Sequence, residues 1–141
     1  MTGATRITTL RYALIATGVI FIFGIDTLAH VWPSGWHWGM GHFHYWPMIL
    51  AVYAPLGIFL VRASRDPLGN LSLIWFTIWS SVAHSVAMTV SALQDPAERG
   101  HLIGDVPALL IIAAALTILT QRACRTELVR PGIRWETRSA A

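Results

Sequence analysis

Apolar residues along this chain come in long blocks, and the polar residues gather at the block ends. A bilayer core about 30 Å thick is crossed by about 20 apolar helical residues, with a range of roughly 17–25. Four stretches meet or approach that length: 12–29, 46–61, 71–93 and 102–120. The second is the shortest, and reaches span length by starting near His42 or by tilting against its neighbours. The pattern predicts an all-α fold: a polytopic membrane protein built as a four-helix transmembrane bundle. A single membrane domain is expected over 1–141, ending in a tail over 121–141.

The segments between blocks carry turn chemistry. Arg62 to Asn70 reads RASRDPLGN, where Asp66-Pro67 and Gly69 signal a turn. Asn70 or Ser72 is expected to cap the third helix. Asp95-Pro96 followed by Gly100 breaks the chain before the fourth. Pro55 falls inside the second span, which a membrane helix tolerates better than a soluble one. Pro107 lies near the start of the fourth, where its missing N–H costs little.

Composition narrows the class. Charged residues make up 12% of the 141 residues, against about 25% in an average soluble domain. With 55% hydrophobic residues and a mean hydropathy of +0.56, a disordered chain, a disulfide scaffold and an ordinary cytosolic enzyme are excluded. The single cysteine, Cys124, has no internal partner for a disulfide.

Charge supplies an orientation. All ten basic residues are arginine. Arg6 and Arg11 precede the first block, and none lies between the first and second. Arg62 and Arg65 separate the second from the third, and Arg99 stands between the third and fourth beside Asp95 and Glu98. Arg122, Arg125, Arg130, Arg134 and Arg138 follow the last block. Arginine on alternate sides predicts both termini in the cytoplasm of a multi-pass protein of a bacterial inner membrane. Short basic segments beside apolar blocks point to anionic lipid as the partner of the tail and not to nucleic acid, which selects a basic patch on a folded face. A cleaved signal peptide competes for the first block. However, Thr27-Leu28-Ala29 is a poor cleavage site and the apolar stretch exceeds a signal core, so a retained span is expected.

Candidate chemistry begins in the first loop, HVWPSGWHWGMGHFHYWP, from His30 to Pro47. Trp32, Trp36, Trp38, Tyr45 and Trp46 suit an aromatic belt at the membrane surface, where a ring and one polar tip are both accommodated. His42 and His44 form an H-x-H pair with His37, Met40 and Met48 nearby. Imidazole suits copper and zinc, and thioether suits Cu(I). Against a metal, the loop has no acidic residue and no ligand spacing of a familiar type.

Two mirrored spacings extend the donor set. Asp26-x-x-x-His30 ends the first block and His101-x-x-x-Asp105 opens the fourth. On a helix, residues four apart share a face. The candidate metal ligands are therefore Asp26, His30, His37, His42, His44, His101 and Asp105, with copper or zinc as the candidate cofactor. The plain alternative is local: Asp26 pairs with His30, and Asp105 caps a helix.

A third feature lies at mid-span. Thr77, Ser81, His84, Met88 and Ser91 form one helical stripe, which must face the bundle because lipid offers no polar partner. His84 is expected about 15 Å inside its span, well below His30 and His101. Packing and interhelical hydrogen bonding are the expected role. Haem ranks behind copper or zinc, since no second histidine shares that depth. Phosphate loops, G-x-S-x-G, C-x-x-C and H-E-x-x-H are all absent, and no residue is assigned a catalytic role.

The segments LIWFTIWSSVAHSVAMTVSAL and HLIGDVPALL, within 73–110, resemble a family of small, functionally uncharacterised four-span bacterial membrane proteins. His84 and Met88 match that family's central His-x-x-x-Met. The resemblance implies the span count and no activity, cofactor or substrate, and it leaves the first loop unmatched.

The expected function is an accessory, non-catalytic inner-membrane protein whose His-, Asp- and Trp-rich outer face is a candidate metal site. One alternative is a subunit of a haem- or metal-dependent membrane oxidoreductase or hydroxylase. Another is a structural subunit of a larger membrane complex or a homo-oligomer.

Overall fold

A computed structural model describes residues 3–33 and 45–128, with side chains placed over 3–33 and 47–125. Every regular element among them is helical. Helix α1 (Gly3–Val19), a π-helical turn (Ile20–Gly24) and α2 (Ile25–Val31) join end to end as one rod. Helix α3 covers Tyr45–Ala63, α4 covers Leu71–Gln94 and α5 covers Asp105–Leu128. Short 3-10 segments, Leu68–Asn70 and Pro96–Leu102, precede α4 and α5.

Three of these stretches, Gly3–Val31, Leu68–Gln94 and Pro96–Arg125, are long and apolar enough to cross a membrane. The apolar part of α3, Pro47–Ala63, is shorter. With 19 residues, α3 rises about 28 Å, close to the thickness of a bilayer core. Pro55 lies inside it without ending it.

The outer surface has the character expected in lipid. Phe23, Val52, Phe76, Trp79, Leu93 and Ile111 are 61–71% exposed. An outward face this apolar needs a cover that water does not provide. Inside, Leu10, Leu14, Phe21, Leu60, Ile74 and Leu116 belong to a buried hydrophobic cluster.

Packing follows the order α3, α1, α5, α4 around the bundle, and α3 scarcely meets α4. The α1–α3 crossing is set by two glycines. A Cβ on Gly18 would lie 2.7 Å from the carbonyl oxygen of Gly57, and one on Gly57 would lie 2.6 Å from that of Gly18. Only hydrogen at both positions allows this approach, the device by which membrane helices gain contact area.

The turn before α4 is held locally. Asp66 Oδ1 accepts from the Gly69 N–H at 3.2 Å, and Asn70 Nδ2 donates to the Asp66 carbonyl at 2.8 Å. Asn70 occupies the position that precedes α4, but its side chain makes no capping bond there because it is engaged with Asp66. Arg11 crosses from α1 to donate to the Arg65 carbonyl at 3.2 Å. Asp95 does cap: it accepts from the Ala97 N–H at 2.9 Å and starts the 3-10 segment Pro96–Leu102.

That segment forms the start of the fourth apolar stretch, Pro96–Arg125, which contains the expected 102–120. The α-helix begins at Asp105, and it runs on to Leu128. Arg122 and Arg125, expected in a separate tail, therefore stand on α5. Arg130, Arg134 and Arg138 lie outside the described residues. Pro96–Leu102 packs back along the end of α4, and Ser85 Oγ reaches the Val106 carbonyl at 3.4 Å. The start of α5 is thus level with Ser85, well inside α4.

Candidate functional site

An apolar cavity of about 320 Å³ opens where α3 and α4 fail to meet. Its walls come from Ile20, Phe21, Gly24, Ile25 and Leu28 of the first rod, Ile49 and Tyr53 of α3, His84 of α4, and Asp105 to Ile112 on one face of α5. The volume falls at the low end of the roughly 300–1,000 Å³ typical of small-molecule sites. Exposed Ile20 and Ile111 lie in the wall, so the cavity has an edge on the apolar outer surface.

The π-helical turn shapes one wall. Its extra residue per turn moves Ile20, Phe21 and Gly24 out of α-helical register, and all three line the cavity. Such single-turn bulges are frequent at functional sites. Tyr53 stands between two rings. Phe21 meets it edge-on with centroids 4.9 Å apart, and His84 meets it edge-on at 5.9 Å. These contacts fix the Tyr53 and His84 rings against the cavity.

Polar groups converge at the Asp105 end. His101 Nδ1 lies 3.0 Å from Asp105 Oδ2, and His101 Nε2 lies 2.9 Å from Glu98 Oε2. His101 is fully buried, Asp105 is 7% exposed and Glu98 9%. Two carboxylates and an imidazole are costly to bury unless they hold one another. The 3-10 segment supplies the geometry, bringing Glu98 and His101 onto the face from which Asp105 continues. Asp105 Oδ1 is buried and has no hydrogen-bond partner among the described residues.

The two mirrored pairs differ in setting. His30 Nδ1 donates to the Asp26 carbonyl at 2.7 Å and lies 3.7 Å from its carboxylate, with both side chains exposed. That is the local pairing. His101 and Asp105 are buried elsewhere. Among the described residues no three His, Cys, Asp or Glu side chains gather in a group able to hold a metal ion. In the Glu98–His101–Asp105 cluster both imidazole nitrogens face carboxylate oxygens, which leaves no ring lone pair for an ion. His37, His42 and His44 lie outside the described residues, as do Trp36, Trp38 and the side chains of Tyr45 and Trp46.

The polar stripe of α4 does face inward. Thr77, Ser81 and Met88 are buried, and His84 and Ser91 are half-buried. Within it Thr77 bonds its own helix at the Leu73 carbonyl, and beside it on α4 Ser85 and Thr89 bond the carbonyls of Ser81 and Ser85. This back-bonding satisfies the hydroxyls without an interhelical partner. Ser85 adds the link to Val106.

His84 shares its depth with two other polar side chains that the sequence did not place there. Tyr53 and Asp105 line the same cavity, because the 3-10 segment lets α5 begin level with the middle of α4. Sequence reasoning missed Tyr53, Ser85 and Glu98. Glu98 and His101 stand three apart, a spacing that was visible. Tyr53 gave no signal within an apolar run.

Helices of membrane length packed around a polar-tipped apolar cavity place this chain among all-helical membrane-type bundles. It belongs to a family of unknown function, DUF6632, whose model matches residues 4–138. That match extends far beyond 73–110 and takes in the first loop. No curated protein and no solved structure matches the chain.

Proposed function

We propose that this chain is an integral membrane protein that binds an apolar small molecule within the bilayer, in an accessory and non-catalytic role. The cavity of about 320 Å³ carries the reading: its wall is apolar except for Tyr53, His84 and Asp105, and exposed Ile20 and Ile111 lie at its edge. A pocket reached from lipid selects solutes by partition first and by its few polar groups second.

The arginine distribution supports a bacterial inner-membrane location with both termini cytoplasmic. It also supports anionic lipid as the partner of the tail. A metal site would rest on His37, His42 and His44 of the first loop, without help from His101 and Asp105.

The test uses the full chain in nanodiscs and a decane analogue carrying a photoactivatable diazirine. Label is expected on Phe21, Tyr53 and Leu109, and Ala108→Phe, which fills the cavity, is expected to suppress it. Label confined to lipid-facing Phe76 and Trp79 in both proteins would overturn the reading.

A further inference from the structure

We infer that the cavity takes a lipophilic molecule with a hydrogen-bond-donating head, a hydroxyl or an amine, and that Asp105 Oδ1 receives that head. The inference rests on the reading of the cavity as a binding site and adds the chemical class of its occupant.

Three observations carry it. Asp105 lines the cavity wall. Its side chain is only 10% exposed, yet Oδ1 has no hydrogen-bond partner among the described residues. The other oxygen, Oδ2, is already held by His101 at 3.0 Å. A buried acceptor without a donor carries a desolvation penalty that a bound O–H or N–H removes. Everything around it in the cavity is apolar apart from Tyr53 and His84, so the rest of the occupant is hydrocarbon-like.

His101 and Glu98 act as positioning residues. His101 bridges the two carboxylates, which fixes the Asp105 rotamer and leaves Oδ1 as the buried oxygen without a hydrogen-bond partner among the described residues. An anionic head is disfavoured, because it would meet two carboxylates against a single imidazole. A donor head is accepted in neutral form as an alcohol or in cationic form as an amine, and the amine also offsets buried negative charge.

The experiment compares three diazirine probes of one chain length in nanodiscs holding the full chain: a decane, a 1-decanol and a 1-aminodecane. Labelling of Phe21, Tyr53 and Leu109 is normalised to lipid-facing Phe76 and Trp79, which cancels differences in partition. The alcohol or the amine is expected to label the cavity at about tenfold lower concentration than the decane, the scale of one charge-assisted hydrogen bond. Asp105→Ala should abolish that advantage, read as the ratio of alcohol or amine to decane label within the same protein. Asp105→Asn, which keeps the shape and one carbonyl oxygen, should retain the alcohol preference and lose the amine preference. Equal labelling by all three probes in the wild-type protein would overturn the inference while the cavity remains a binding site. Absence of cavity label from every probe would overturn both.

Discussion

Ser85 Oγ lies 3.4 Å from the carbonyl oxygen of Val106, which ties the middle of α4 to the first turn of α5. The contact marks the register in which α5 starts beside the middle of α4, and in that register His84, Tyr53 and Asp105 share one cavity.

The buried cluster sets the first prediction. Replacing His101 by leucine leaves Glu98 and Asp105 facing each other without the cation or donor between them. Breaking a buried charge arrangement in this way costs about 3–5 kcal/mol. Reversible unfolding in micelles should show that loss for His101→Leu and a smaller one for His101→Gln. Loss below about 1 kcal/mol for His101→Leu would mean that water reaches the cluster.

Gly18 and Gly57 set the second. Alanine at either places a Cβ against the partner's carbonyl oxygen, which is backbone and has no rotamer to yield. Overpacking of this kind costs about 1–3 kcal/mol. Gly24→Ala is the control, since its Cβ would meet only the Ile20 side chain, at 3.2 Å. Thermal unfolding should rank Gly18→Ala and Gly57→Ala well below wild type and Gly24→Ala near it. Equal behaviour of all three would remove the close crossing as a source of stability.

Orientation sets the third. A reporter active only outside the cytoplasm should work when fused after Gly39 and stay silent when fused at Arg65 or at the C-terminus. The alternation of arginine between loops motivates this outcome. An active C-terminal fusion would reverse the orientation or change the number of crossings.

Arginine beyond the last span sets the fourth. A peptide of residues 121–141 should bind vesicles containing anionic lipid and detach at high salt, with each arginine near the surface contributing about 1 kcal/mol. Binding of the same strength to neutral vesicles would show that apolar contact, and not charge, holds it.

Helix number and character were legible in the sequence because both are local properties. An apolar block of span length has few alternatives to a helix, and turn residues such as Asp66, Gly69 and Asp95 mark where the blocks stop. The inward face of α4 was legible for the same reason, since Thr77, Ser81 and Met88 recur with helical periodicity. The α-helical start of the fourth span was not. Pro96–Leu102 coils as a 3-10 segment against α4, and no local pattern encodes how far down a neighbour it packs. That single register moved Asp105 beside His84 and Tyr53, and it paired His101 with Glu98 as well as Asp105. Four apolar helical stretches, the inward face of α4 and the acid–histidine spacings are all local patterns and could be read from the residues alone. Which of those spacings is buried and which is exposed could not be read there, because burial depends on contacts between residues far apart along the chain.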